Sequence, residues 1–102
     1  MPEAEKCHSI QWLTAITVDP ATGKSFMDVI NYMNEQNVEC RPVWKPMHLQ
    51  PYFAGAQYFT DGETESISDK LFNTGLCLPS ASAMTDEEQD YVIEKLKVIV
   101  GK

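Results

Sequence analysis

Basic residues are scarce in this chain: eight lysines and arginines stand against fifteen aspartates and glutamates, a formal net charge of −7 over 102 residues. Binding a phosphate backbone needs a concentrated positive field, so this balance excludes nucleic acid as a partner and disfavours an anionic membrane surface. Long apolar runs are also missing, with nothing near the ~20 residues of a membrane-spanning helix. The opening MPEAEKCHS lacks the apolar stretch of a signal peptide, so a cytoplasmic location is expected. Glycine is sparse, five residues scattered without a phosphate-cradling loop. Cysteine is limited to Cys7, Cys40 and Cys77, an odd number without a CxxC pair. That excludes a disulfide framework and a zinc site and leaves reduced, inert thiols as the expectation. A reactive thiol would need a lowered pKa, and Arg41 is the one basic sequence neighbour of Cys40. Ser80 and Ser82 sit in SASAM with no nucleophile elbow and no nearby histidine, so serine hydrolysis has no support.

What is present is the composition of an ordinary globular domain, 43% hydrophobic and 23% charged. A chain of this length buries roughly 60–70% of its unfolded surface, enough for one core. Residues 1–8 are polar and patternless and are expected to be a disordered lead-in; 9–102 are expected to form one small α+β domain.

From Ser9 the residues alternate, with Ile10, Trp12, Thr14, Ile16 and Val18 on one face, predicting a strand over 9–18. Leu13 and Ala15 make the second face partly apolar, which implies cover on both sides. Asp19-Pro20-Ala21-Thr22-Gly23 is turn chemistry. Ser25 then caps a helix, with Asp28 in its first turn, Phe26, Val29, Ile30 and Met33 on the apolar stripe, and Asn37 as the left-handed stop. A short strand is predicted over 38–41, halted by Pro42. A second helix is predicted from 63 or 64 to 73, presenting Ile67, Leu71 and Phe72 to the core and closed by Gly75. The run Asp61, Glu63 and Glu65 before it reads as a solvated acidic loop. Leu76-Cys77-Leu78 is a strand stopped by Pro79. Thr85 and Glu88 form a capping box for a last helix whose stripe is Tyr91, Val92, Leu96 and Ile99. Asp86, Glu87 and Glu88 suit its start, and Lys95, Lys97 and Lys102 its end. QNVECRP and NTGLCLP echo each other, which implies two strand ends lying close together. The order of elements predicts a two-layer α+β sandwich of a small sheet with about three helices; strand order is not legible.

Between the second strand and second helix lies VECRPVWKPMHLQPYF, with Pro42, Pro46 and Pro51, the basic or imidazole groups Arg41, Lys45 and His48, and the aromatics Trp44, Tyr52 and Phe53. Prolines at this density exclude an α-helix and a central strand. The run RPVWKPMHLQP, with a W-L-T strand upstream and GLCLPS downstream, resembles the C-terminal part of the DegT/DnrJ/StrS-type aminotransferases, from about residue 12 to 100. These are pyridoxal-phosphate enzymes that aminate keto-sugars attached to nucleotides.

The resemblance implies the small domain of a fold type I aminotransferase, its proline-rich loop toward the cleft between two domains. Arg41, Trp44, Lys45 and His48 become the candidate substrate-binding residues: a guanidinium and an ammonium suit a diphosphate, and an imidazole suits a hydroxyl or a phosphate oxygen. Read from the residues alone, Arg41 and Lys45 serve equally as solvated charges and His48 as a cap for a local carbonyl. Trp44, Tyr52, Phe53, Tyr58 and Phe59 either stack on a base or pack against a neighbouring domain. In the family a lysine of the large domain forms the Schiff base with the cofactor. Lys6, Lys24, Lys45, Lys70, Lys95, Lys97 and Lys102 match no such motif. The resemblance therefore implies no catalytic residue and no metal here, no cofactor bound by this chain alone, and pyridoxal phosphate in a parent enzyme. The partners it implies are the large cofactor domain of the same parent chain, a nucleotide-sugar and a homodimeric mate. The Met1-Pro2 start before a mid-domain strand reads as a chain beginning partway through a gene. The other reading is a stand-alone acidic module that binds a small anion or a protein through residues 43–59.

Overall fold

Two capping boxes set the helices that build the core. Ser25 Oγ accepts from the Asp28 N–H at 3.1 Å while the Asp28 carboxylate accepts from the Ser25 N–H at 2.8 Å, starting helix α1 at Phe26–Glu35. Thr85 and Glu88 repeat the exchange at 3.2 and 2.9 Å. The computed structural model describes residues 5–60, 62 and 66–101. The acidic run Asp61, Glu63 and Glu65, the predicted helix start at 63 or 64, Lys102 and residues 1–4 of the lead-in lie outside that set.

Helix α1 ends as predicted. Asn37 takes φ 59°, the Asn37 N–H donates to Asn34 O at 3.0 Å and the Val38 N–H to Met33 O at 2.9 Å. This pair of bonds satisfies two carbonyls of the last turn and turns the chain back toward the sheet. Helices α2 at Ile67–Thr74 and α3 at Asp86–Val100 follow. Strands β1 at Thr14–Thr17, β2 at Arg41–Pro42 and β3 at Gly75–Leu78 form an antiparallel sheet in the order β1-β3-β2. Arg41 pairs with Cys77 and Pro42 with Leu76, so the two echoing segments do meet.

The three strands differ from their predicted extents. The 9–18 alternation yields only Thr14–Thr17, because Gln11 adopts φ 50° and bends the chain out of the sheet. The partner strand is also only four residues long. One further bond, from the Val18 N–H to Thr74 O at 2.9 Å, carries the pairing past its end, and Ser80 Oγ accepts the Thr14 N–H at 2.8 Å at the other. Residues 38–40 do not pair with β3; the Cys40 N–H is taken by Asn34 Oδ1 at 3.1 Å, and pairing begins only at Arg41. Pro42 belongs to the strand instead of halting it. It is tolerated because β2 is an edge and its missing N–H faces no neighbour. Gly75 is not a left-handed stop but the extended first residue of β3, φ −98° and ψ 143°.

Directly opposed residues share a sheet face. Leu76, fully buried, stands opposite Ile16, and with Val18 and Leu78 this row meets α1 and α3. Val29, Ile30 and Met33 of α1, Val38, Cys40 and Val92 of α3 complete the core. The Tyr91 hydroxyl ties α3 to α1 by donating to Gln36 O at 3.1 Å. Among the described residues no α2 side chain joins this cluster. Ile67 and Leu71, predicted to face it, are 59% and 50% exposed, and Phe72 is half-buried. The fold is thus a two-layer α+β sandwich with three α-helices and a three-stranded sheet. The second sheet face is not covered as predicted: Ala15 and Thr17 are exposed and Cys77 half-buried.

Candidate functional site

The proline-rich segment lies beside this uncovered face. It contains no α-helix, only the single 3-10 turns Met47–Leu49 and Pro51–Phe53, closed by bonds such as Leu49 N–H to Pro46 O at 3.0 Å and Ala54 N–H to Pro51 O at 3.2 Å. Its root is pinned to the sheet where the Val43 N–H donates to Gly75 O at 3.3 Å.

The four predicted binding residues separate into two places. Arg41 and Trp44 line one recess of about 220 Å³ with Trp12, Leu13, Pro42 and Cys77. There the Trp44 and Trp12 rings meet with centroids 5.5 Å apart, tilted by 36°. Trp12, predicted within the strand over 9–18, lies outside β1 and makes this contact instead. Both tryptophans are about two-thirds exposed, at 67% and 69%. The Arg41 guanidinium is held in solvent by the Glu39 carboxylate, with Nε to Oε1 at 2.8 Å, a solvated pair of small energetic consequence.

His48 lies elsewhere, against α2. Its Nε2 approaches Asp69 Oδ1 at 2.7 Å, and its ring stacks on Tyr58 with centroids 3.8 Å apart and planes 18° from parallel. The Tyr58 hydroxyl lies 2.5 Å from Ser66 Oγ, which also accepts from the Asp69 N–H at 3.4 Å as the cap of α2. Lys45 is exposed, and its carbonyl accepts from Gln50 Nε2 at 3.0 Å. Asp69 was invisible as a site residue because an acid in the first helical turn is explained by the helix dipole alone. Tyr52 and Phe59 stand out into solvent, at 90% and 77% exposure.

An apolar surface continues from this recess along the open sheet face. Ile10, Trp12, Ala15, Val43, Trp44 and Leu71 border two adjoining grooves that share Ala15, Val43 and Trp44. Patches of this kind mark contact surfaces more often than free solvent boundaries.

Other chemistry is thin. Cys40 is buried, and desolvation first, then Cys77 and Glu39, push its thiol up, away from the reactive thiolate. All described lysines are at the surface, with Lys95 over the Tyr91 ring at 4.9 Å, and none is enclosed. No metal-binding cluster of His, Cys, Asp or Glu exists among the described residues, and no helix among them is long and apolar enough to cross a membrane.

Comparison with known proteins decides the lineage. The sequence profile of the DegT/DnrJ/EryC1/StrS aminotransferase family matches residues 1–97. The chain belongs to this family. A Bacillus subtilis relative, named as the pyridoxal phosphate-dependent aminotransferase EpsN, is 45% identical over 96 residues, covering 94% of this chain. The chain spans only 24% of that relative's length. A solved structure of the Streptococcus pneumoniae sugar aminotransferase Spr1654, in its PMP form, superposes over 87% of this chain with a TM-score of 0.68 and 21% sequence identity, again over a small part, 22%, of the other chain. That likeness extends the family assignment to the fold, and the match includes the α+β sandwich that carries the proline-rich segment.

Proposed function

We propose that this aminotransferase-family domain serves an enzyme that aminates a keto-sugar attached to a nucleotide, and that it helps close the substrate cleft. The observation that carries the aminotransferase part of the reading is the 45% identity to EpsN across nearly the whole domain, proline-rich segment included. The structural neighbour, named as a sugar aminotransferase, supports the sugar part of it.

In this reading pyridoxal phosphate belongs to the rest of a family-length polypeptide. The cofactor, when bound, supplies the electron sink that amino transfer needs. The described residues do not fit it. A Schiff-base lysine must be desolvated, whereas every described lysine here is solvated or lies over an aromatic ring. What this chain contributes is binding and enclosure. Arg41 and Lys45 present positive charge to a diphosphate, with Arg41 exchanging its solvated Glu39 partner for the ligand. Trp44 offers an apolar wall and His48 a ring nitrogen. The open sheet face packs against the large domain, excluding water from the cleft, and a homodimer completes the assembly.

The test is kinetic, in a family-length enzyme carrying this sequence. Arg41→Ala, Lys45→Ala and His48→Ala should each raise KM for the nucleotide-sugar by about one to two powers of ten, the loss of one charge-assisted hydrogen bond. Uptake of pyridoxal phosphate should stay unchanged. Kinetic constants within about twofold of wild type for all three variants would remove the loop from the substrate site.

A further inference from the structure

Among the described residues, two side-chain polar atoms are sealed from solvent without a well-angled hydrogen bond, and they face each other: His48 Nε2 and Asp69 Oδ1, 2.7 Å apart. The approach is close but oblique. The two residues come from segments that nothing local connects, the 3-10 turn Met47–Leu49 and the first turn of α2. Both side chains are largely withdrawn from water, at 17% and 28% exposure. A sealed carboxylate oxygen with no other partner among the described residues needs a donor, and the imidazole N–H is the one within reach. Tyr58 fixes the plane of the ring by stacking, and its own hydroxyl is fixed by Ser66 and Ser68.

The other ring nitrogen is in a different situation. Nδ1 is not among the sealed atoms, and His48 makes no further hydrogen bond among the described residues. We propose that Asp69 is a positioning residue, holding His48 through Nε2 so that Nδ1 is the atom the loop offers to a ligand oxygen. Tyr58 sets the ring's orientation. This rests on the reading of the loop as facing the substrate, and it names the atom that makes the contact and the residues that aim it. A histidine on a loop without such support samples several rotamers; one clamped at a carboxylate and an aromatic face presents one edge.

The experiment uses the 15N-labelled 102-residue chain and the imidazole region of its proton–nitrogen correlation spectrum. Free histidine in the same buffer provides the reference for fast exchange with water. In the wild type the His48 Nε2–H should be a resolved, slowly exchanging signal. It should persist in Asp69→Asn, whose side-chain oxygen still accepts, and vanish in Asp69→Ala. Tyr58→Leu, which removes the stack but not the carboxylate, should broaden it and keeps the test open should Asp69→Ala fail to fold. A His48 signal that exchanges as fast as that of free histidine, or that survives Asp69→Ala unchanged, overturns the assignment. In the family-length enzyme Asp69→Ala should raise KM as His48→Ala does, with Asp69→Asn near wild type. The spectra contain no ligand, so the dyad can fail while the substrate-facing loop stands, and the loop can fail in the kinetics while the dyad stands.

Discussion

Gly75 is where a single methyl group should do the most damage. It joins α2 directly to the central strand β3 and is buried. A Cβ there would lie 2.4 Å from the Leu71 carbonyl oxygen and 3.1 Å from both Val43 γ-carbons. The first contact is with backbone in the last turn of α2, so no side-chain rotation relieves it; the helix must shift relative to the strand. Overpacking of this kind costs about 1–3 kcal/mol, and a rigid backbone obstacle puts Gly75→Ala toward the upper end. For a domain of this size about 2–3 kcal/mol corresponds to a fall in Tm of roughly 10–20 °C. Thermal and urea unfolding followed by circular dichroism measure it. Two controls isolate the cause. Val43→Ala should not rescue Gly75→Ala, because the tighter contact is with a carbonyl. Gly101→Ala, at φ 75° with open space around it, should cost about 1 kcal/mol through backbone strain alone. A Gly75→Ala variant as stable as wild type, or one rescued by Val43→Ala, would refute the steric argument.

Thr85→Ala should cost about 1 kcal/mol by removing the cap of α3, seen as a lower urea midpoint. Ser25, through its N–H first and its hydroxyl second, holds the Asp28 carboxyl below its ordinary value. A folded-state value lowered in this way stabilises above the ordinary carboxylate range and is lost as pH falls through the lowered value, so the stability gap between wild type and Ser25→Ala should narrow in acid. Either Trp12→Ala or Trp44→Ala should abolish the coupled tryptophan band in near-230 nm circular dichroism; unchanged spectra in both would separate the rings. Borohydride reduction of the isolated chain mixed with pyridoxal phosphate should label no single lysine stoichiometrically, as mass spectrometry of peptides would show.

What was legible in the sequence is what local chemistry decides. The cap at Ser25, the box at Thr85 and the left-handed Asn37 each depend on residues within one helical turn of one another, and all three stand as read, with Asp28 completing a second box at Ser25. The failures are long-range. The alternation from Ser9 carried no sign that Gln11 would bend or that β3 would supply only four partners. Gly75 was legible as a glycine beside a helix end, but its cause is the distance to Leu71 O, a packing fact rather than a backbone preference. The stripe of α2 was read as core, yet Ile67 and Leu71 open outward because α1 and α3 already fill the covered face of the sheet. In the loop, Arg41, Trp44, Lys45 and His48 were picked out by residue type. The division between a tryptophan recess and a histidine clamp depends on Trp12 and Asp69, which are distant in sequence.

The order β1-β3-β2 leaves the sheet with two unlike margins. On one side β2 is two residues long and contains Pro42, which has no N–H to offer and ends hydrogen-bonded growth there. On the other, the outer edge of β1 pairs with no strand among the described residues, and its Thr-Ala-Ile-Thr sequence is well suited to extended pairing. Extension of the sheet by a further strand, from a second molecule or from a misassembled one, is therefore one-directional. It adds beside β1 and terminates at the proline margin, so two copies joined through their β1 edges make a closed six-stranded pair and not a fibre.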